Sequence, residues 1–221
     1  MSEETSAQVV TKRRRGRGLR AVLVAPLVAA TAGAAFVLFV PHAACPRAGA
    51  AVTSKVRAFS RLKNRDAAPR AEDFDRAATL EEILRPGDDR ARWAESRAAA
   101  VEGYVVGVSP GGIEAANCYS VVRRDTHVYL AARPDATERE RVVLEVTPRA
   151  REEAARRGLD LSEQALRRTL LGRRCRVEGW LLYDIEHDGE SENTAPGGAG
   201  NWRASAWEIH PVTKIEVIGE H

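Results

Sequence analysis

The stretch that decides the fold runs from Arg141 to Asp184, RVVLEVTPRAREEAARRGLDLSEQALRRTLLGRRCRVEGWLLYD. Its first six residues, RVVLEV, have the alternation of a half-buried strand, with Glu145 on the outer face. Pro148 then opens a helical pattern that Gly172 ends. From Arg173 the alternation returns. A strand, a helix and a strand therefore follow one another.

Three more alternating stretches lie on either side of this one: residues 101–108, residues 126–132 and residues 204 to about 218. Residues 101–221 then have the order β-β-β-α-β-β, which predicts a mainly β domain with helices. This order is typical of the OB-fold, a five-stranded Greek-key barrel, although other small barrels can share it. The long loops at 109–125 and 185–201 fall where OB-folds bind ligands.

Residues 21–40 contain no charged side chain in twenty positions. As a helix they would be about 30 Å long, which matches the hydrocarbon core of a bilayer. Residues 1–20 hold six basic and two acidic side chains, so the positive-inside rule places this tail in the cytoplasm. We therefore predict a single-pass protein of the cell membrane whose C-terminal domain is extracytoplasmic.

Two other interpretations of this N-terminus stay open. The apolar core of a cleaved signal peptide is usually about 7–15 residues long, and His42 is a poor residue three places before a cut after Ala44. A lipoprotein with its lipid on Cys45 would carry a large aliphatic residue in the place of His42. The sequence favours the uncleaved signal-anchor.

Two segments separate the apolar run from the predicted barrel. Residues 41–74 are rich in Ala, Arg and Lys without an apolar period, which predicts a linker or stalk. Residues 75–100 predict a helical lead-in, because Thr79 and Glu82 have capping-box spacing. Within that lead-in, residues 91–100 suggest a second short helix that Trp93 would anchor to the domain.

The distribution of charge argues against a nucleic-acid partner. Residues 101–221 hold sixteen basic and twenty acidic side chains, a net charge of −4. Tight binding to a phosphate backbone needs clustered Lys and Arg. Besides the membrane, an envelope protein, a peptide or a glycan is therefore the favoured partner. The sequence also has no P-loop, no GxSxG, no CxxC and no dinucleotide fingerprint.

The three cysteines, without a CxxC pair, do not have the spacing of a zinc site. Cys118 and Cys175 both fall in the predicted exported domain, where an oxidising environment would allow a disulfide between them. Two separate buried thiols are the alternative.

Residues Arg203–Val217, RASAWEIHPVTKIEV, read as the last strand. In a strand Trp207, Ile209, Ile215 and Val217 share the core face, whereas Glu208 and His210 point the other way, about 7 Å apart. Pro211 cannot donate a ladder hydrogen bond, so the strand is predicted to be bulged or at an edge there.

Polar side chains on comparable strand faces give the candidates for a metal site: the histidines His127, His187 and His210, with Glu145 or Glu208 as general base and with Asp125, Asp184 and Glu186 nearby. If the barrel brings them together, zinc or manganese could bind and activate water. The histidines lack HExxH and HxH spacing, and a histidine on a wet sheet face more often only forms hydrogen bonds. No cofactor is predicted outright, and a divalent metal belongs to the alternative function.

Aromatic and basic side chains near the predicted loops and strand faces are the candidates for ligand binding: Tyr129, Arg149, Trp180, Trp202 and Arg203. OB-folds bind oligonucleotides or oligosaccharides with such side chains. Trp180 and Tyr129 could instead cap the barrel core, which is the commoner place for lone aromatics.

Three motifs, EVTPR, VEGWLLYDIEH and RASAWEIHPVTKIEV, resemble a set of uncharacterised bacterial membrane-anchored proteins with an OB-fold-like domain. The resemblance covers roughly residues 76–218 and implies the fold, but it carries no activity and no catalytic residue. We therefore expect a membrane-anchored extracytoplasmic binding or assembly module with an unknown ligand. The alternative is a metal-dependent, nuclease-like hydrolase with a His/carboxylate site on the barrel face.

Overall fold

The computed structural model describes residues 45–219, in which five strands close into a barrel. Around the barrel the strands follow the order β1-β2-β3-β5-β4, and β4 closes on β1. Neighbouring strands are antiparallel except β3 and β5, which run parallel. The predicted mainly β domain with a five-stranded barrel is confirmed. The strands are β1 (Ala98–Pro110), β2 (Thr126–Ala131), β3 (Arg141–Val146), β4 (Arg174–Tyr183) and β5 (Trp207–Val217).

Four α-helices accompany the strands in residues 45–219: α1 (Ser54–Lys63), α2 (Leu80–Leu84), α3 (Pro148–Arg156) and α4 (Glu163–Leu170). The helical run predicted between β3 and β4 is therefore split in two. Gly158 adopts a φ of 76°, which ends the first helix, and the side chain of Ser162 accepts a hydrogen bond from the Ala165 amide to start the second.

The barrel core is made of the inward side chains of all five strands, to which α4 adds Leu166 and Leu170. Trp207 and Ile209 are buried in this core, as the alternation predicts. Ile215 is only partly buried and Val217 is exposed, so the predicted core face of β5 ends before the strand does.

The outward faces of β3 and β5 are buried as well. Glu145, Glu208 and His210 point away from the core, yet each is at most 3% exposed. α1 contacts β5 and the β1–β2 loop. The sheet face that the sequence suggests is wet is therefore part of the interior at these three residues.

The linker predicted over residues 41–74 is wrong for residues 45–64, which we call the N-terminal arm. The arm contains α1, and the amide of Asn64 donates to the backbone oxygens of Ala116 and Arg47 at 2.9 and 3.2 Å. Because these attachments are polar, they leave no apolar period in the sequence.

Neither alternative for Cys118 and Cys175 describes the structure in full, because the two cysteines do not pair with each other and only Cys175 is a separate buried thiol. Cys118 pairs with Cys45, 73 positions away in sequence, and Cys175 is a free, buried thiol on β4. Cys175 is inside the barrel core, where no other cysteine reaches it. The pairing joins the N-terminal arm to the β1–β2 loop.

The lead-in at residues 75–100 contains the first predicted helix, which is α2, but not the second one predicted at residues 91–100. Thr79 caps α2, accepting from the Glu82 amide at 3.3 Å. Residues 91–97 form turns rather than a second helix, and β1 already begins at Ala98. Trp93 nevertheless anchors this segment, with its ring edge-on to Trp207 at 5.7 Å.

The predicted membrane helix at residues 21–40 lies outside the described residues. Within residues 45–219, no helix has the length and apolar character needed to cross a bilayer. The anchor therefore stays a prediction from the sequence.

Candidate metal centre

Strand pairing brings three of the predicted site residues to one outer face of the barrel. β3 and β5 pair in parallel through Leu144 and Ile209, whose side chains are in the core. Their chain neighbours Glu145, Glu208 and His210 therefore point outward side by side. His127 on β2 lies opposite Glu145 in the antiparallel register, which adds a fourth side chain to this face.

Glu145 is at the centre of the contacts between these four residues. Its Oε1 is 3.1 Å from His127 Nε2, and its Oε2 is 3.5 Å from His210 Nδ1. His210 Nδ1 is also 3.3 Å from Glu208 Oε2. Both candidate general bases and two of the three candidate metal ligands thus meet in one group, which we call the outer cluster.

The third histidine joins the outer cluster through a chain of charged contacts. His187 Nδ1 is 2.6 Å from Asp184 Oδ2. Arg203 donates to that same oxygen from Nη2 at 3.0 Å, and to Glu208 Oε1 from Nη1 at 2.6 Å. His187 is therefore connected to the outer cluster without contacting His127 or His210 directly.

Asp125, which precedes β2, completes a group that could hold a metal ion. Asp125, Glu145 and His210 each offer one ligand atom, and these atoms lie within 4.8 Å of one another. Each of the three residues also has a buried side-chain atom, Asp125 Oδ1, Glu145 Oε2 and His210 Nε2, with no hydrogen-bond partner within residues 45–219. An unsatisfied buried polar atom costs about 1–3 kcal/mol. A bound cation would remove that cost at all three residues.

The formal charges of the buried groups leave room for a divalent cation when the histidines are neutral. Asp125, Glu145, Asp184 and Glu208 are four buried carboxyl groups. Two buried cations accompany them, Arg203 and Lys63 of α1. With neutral histidines the set has two negative charges in excess, which one divalent cation would balance. In the metal-free protein His127 and His210 balance it instead: burial lowers their pKa values, but Glu145 outweighs burial, raising the pKa of His210 and that of His127 to about 10.

The pKa values of the carboxyl groups reflect their burial beside one another and beside the histidines. Burial, reinforced by Glu145, raises the pKa of Asp125 to about 7. Burial, reinforced by Asp184, raises the pKa of Glu208 to about 7. Burial also opposes the ionisation of Glu145, but His210 and His127 outweigh it and hold the pKa of Glu145 well below its usual range. Glu145 is thus the permanently ionised member of the group.

An aromatic rim, formed by Tyr129 and Trp202, borders the outer cluster. The Trp202 ring is parallel to the His127 ring at 6.4 Å and edge-on to the His187 ring at 5.7 Å. The Arg141 guanidinium lies over Tyr129, 3.9 Å from its ring centroid. The side chains of His127 and His187 are 14% and 38% exposed, so solvent reaches the charged groups from this side.

The candidates for ligand binding divide into two sets. Tyr129, Trp202 and Arg203 adjoin the charged groups, whereas Trp180 and Arg149 contact the N-terminal part of the chain. Trp180 Nε1 donates to the Ala67 oxygen at 2.8 Å, and Arg149 Nη2 donates to the Cys45 oxygen at 2.5 Å. Trp180 does not cap the barrel core, since it faces outward against this segment.

Sequence reasoning alone misses two contributors to the site. Lys63 lies in the stretch predicted to be a linker, and Asn117, in the β1–β2 loop, donates to Asp125 Oδ2 at 2.8 Å. Neither residue has a spacing that would have revealed it. No protein-family model and no curated protein matches the chain, so the site rests on its own geometry.

Proposed function

We propose that the domain is an extracytoplasmic, metal-dependent hydrolase on an OB-fold-like barrel, with Asp125, Glu145 and His210 as the ligands of one divalent cation. The OB-fold assignment is supported by the strand order and by the helices between β3 and β4. The membrane anchor predicted for residues 21–40 supports the location.

One observation carries the metal site. The three residues whose ligand atoms converge also have an unpartnered buried atom each, within the described part of the chain. Native proteins satisfy nearly all their buried polar groups. Unsatisfied buried atoms also occur elsewhere in the described residues, at Asp89, Arg149 and Asn201 among others, so the support for a ligand is that three of them lie on neighbouring side chains whose ligand atoms converge.

The donor set favours zinc or manganese. One imidazole nitrogen and two carboxylate oxygens form a 2-oxygen, 1-nitrogen site, which suits these ions better than calcium or copper(I). A three-residue set also leaves coordination positions for water or substrate, as catalytic sites require. The bound ion would supply Lewis acidity and a water that is easier to deprotonate.

The remaining residues of the outer cluster then have separate roles. Glu208, held by His210 and Arg203 beside the proposed ligands, is the general base of this proposal. His127 and His187 are on the solvent side, where they can meet a substrate. The aromatic rim is the surface on which a ring of the substrate can stack, as in other OB-folds.

The test is the metal content of the full chain, which is purified in detergent and carries no affinity tag. After dialysis against zinc and manganese, elemental mass spectrometry should find about one ion per chain. Asp125→Asn and His210→Gln should each weaken binding about tenfold or more in titration calorimetry, since each removes a ligand. Hydrolysis of a phosphodiester and a carboxylic ester chromogenic substrate would then identify the bond that is cleaved.

Matched controls are available on the same protein. Glu216→Gln and Asp135→Asn change exposed carboxylates outside the outer cluster. Both should leave the affinity within about threefold. Wild-type protein that binds neither ion would refute the proposal, and so would equal losses in the control and ligand variants.

A binding module without catalysis is the second candidate. The specific observation in its favour is the aromatic rim, where Trp202, Tyr129 and Arg141 form a ring-and-guanidinium surface beside the loop 185–201. A metal-loaded protein that is inactive on both chromogenic substrates would move this candidate, with a peptide or glycan ligand, to the front.

A further inference from the structure

The N-terminal arm delivers a buried ammonium group to the carboxylates. Lys63, the last residue of α1, is 3% exposed, and its Nζ is 2.6 Å from Glu114 Oε2 and 3.6 Å from Glu186 Oε2. The ring of Phe59 lies beneath it, 5.2 Å from Nζ to the ring centroid. A lysine is almost never buried without such partners.

The carboxylates of the proposed metal site also affect the pKa of Lys63. Burial disfavours its charged form, but Glu145, Glu114, Glu208 and Asp184 outweigh that effect and hold the pKa of Lys63 well above its ordinary value. The ammonium is therefore a permanent positive charge. It shares the electrostatic field of Glu145 with any cation bound there.

The position of Lys63 is fixed by the short segment Glu114–Cys118. Glu114 pairs with Lys63, and the Ala116 oxygen accepts from the amide of Asn64, the next residue after Lys63. Asn117 donates to Asp125, a proposed metal ligand. Cys118 carries the disulfide to Cys45. One five-residue segment thus links the tether, the lysine and the metal site.

We infer that the N-terminal arm is a disulfide-fastened regulatory element, whose Lys63 ammonium is a built-in cation that lowers the affinity of the carboxylates for a divalent ion. The inference rests on the metal site of the proposed function. Like charges in a poorly screened interior repel, so removal of the ammonium tightens metal binding. Reduction of the Cys45–Cys118 disulfide by an external dithiol, which is itself oxidised to a disulfide while Cys45 and Cys118 become thiols, acts in the same direction, because it frees the arm that holds Lys63 in place.

The experiment measures the dissociation constant of Mn²⁺ by titration calorimetry on the full chain in detergent. Lys63→Met should tighten binding about tenfold or more, whereas Lys63→Arg, which keeps the charge, should stay within about threefold of wild type. Lys55→Met is the matched control, since Lys55 is on the same helix but exposed. Its affinity should also stay at the wild-type value.

Cys45→Ser tests the tether and does not remove a buried charge. It should tighten Mn²⁺ binding by about twofold or more. In the double variant with Lys63→Met it should add nothing further, because the tether acts through Lys63. If Lys63 only stabilises the fold, Lys63→Met will lower the thermal stability without changing the affinity for Mn²⁺.

The outcomes separate the two proposals. Wild type that binds Mn²⁺ with an affinity that Lys63→Met and Cys45→Ser leave unchanged overturns the inference and keeps the metal site. Binding by Lys63→Met but not by wild type supports the inference and refutes a resident metal in the native protein. No binding by any variant overturns both.

Discussion

Arg203 is completely buried, and its guanidinium bridges two carboxylates, Asp184 and Glu208. Moving three charged groups out of water is costly, and only their mutual contacts offset that cost. The sequence offers Arg203 as a candidate ligand-binding residue. In the structure its guanidinium orders two carboxylates of the site.

Replacing Arg203 should therefore be far more harmful than replacing a surface arginine. Arg203→Met leaves Asp184 and Glu208 buried together without their cation, and we expect a loss of about 3–5 kcal/mol in the free energy of unfolding. Arg139→Met, which breaks the exposed pair with Glu192, should cost at most about 1 kcal/mol. Guanidinium unfolding followed by tryptophan fluorescence measures both. Equal losses would show that the buried bridge has no special weight.

The Asp184–His187 pair makes stability depend on pH in two directions. Burial opposes the ionisation of Asp184, but its bond to His187 and the charge of Arg203 hold its pKa well below the usual range. The same bond to Asp184 raises the pKa of His187, against the effect of burial. The contribution of Asp184 is complete above its unfolded pKa of about 3.9 and is lost as pH falls through the folded pKa. The contribution of His187 is complete below about 6.5 and is lost as pH rises through its folded pKa.

We expect each variant to affect both limbs, because each group shifts the pKa of the other. Asp184→Asn should flatten the fall in the free energy of unfolding below about pH 4 and also the fall above about pH 6.5, whereas His187→Gln should flatten the fall above about pH 6.5 and only weaken the acid limb, since Arg203 still lowers the pKa of Asp184. Urea unfolding between these extremes of pH gives the profiles. Asp135→Asn, at an exposed position, is the control and should reproduce the wild-type profile. A wild-type acid limb in Asp184→Asn would assign that limb to other groups.

At the scale of elements, β4 and β5 come unusually close where the ladder between them is irregular. The register shifts on both sides of Gly179, and Pro211 lies in the interrupted part of β5, which confirms the bulge predicted from that proline. A side chain on residue 179 would have its Cβ 2.4 Å from the Pro211 oxygen and 2.6 Å from Ile209 Cγ2. Glycine is the residue that permits this approach.

Gly179→Ala should consequently destabilise the domain by about 1–3 kcal/mol, because backbone as well as a side chain must move. Gly200→Ala is the matched control, since a Cβ there meets no atom within 4 Å, and its effect should stay within about 1 kcal/mol. Thermal unfolding by circular dichroism compares the two. Equal melting temperatures of the two variants would show that the close approach at Gly179 contributes little to stability.

The periodicity of the sequence predicts the barrel and the strand face on which three residues of the outer cluster lie, but not the contacts between them. Alternation in β3 and β5 placed Glu145, Glu208 and His210 on the outer face, and that face proved to be common to both strands. The parallel pairing that brings them into contact has no local signal. It depends on strands more than 60 positions apart, Leu144 and Ile209.

The N-terminal arm could not be predicted, for a different physical reason. Its attachments are a disulfide, amide hydrogen bonds and the buried Lys63 ion pair, none of which needs an apolar stripe. Composition there is that of a solvated linker. The failure to predict the Cys45–Cys118 disulfide has the same cause, because a flexible stalk would not be expected to return to the domain.

Barrel closure has a consequence for the order in which the chain is synthesised. β1 pairs with β4 over Ala98–Tyr104, opposite Arg174–Trp180, and the second side of the metal site, Glu208 and His210, arrives only with β5. The arm, both disulfide partners and the meander β1–β2–β3 all emerge from the ribosome before these elements. A nascent chain that stops short of residue 207 therefore has its tether and Lys63 but neither a closed barrel nor His210. The site can therefore assemble only after nearly the whole chain has been synthesised. Non-local strand pairing of this kind is also intrinsically slow.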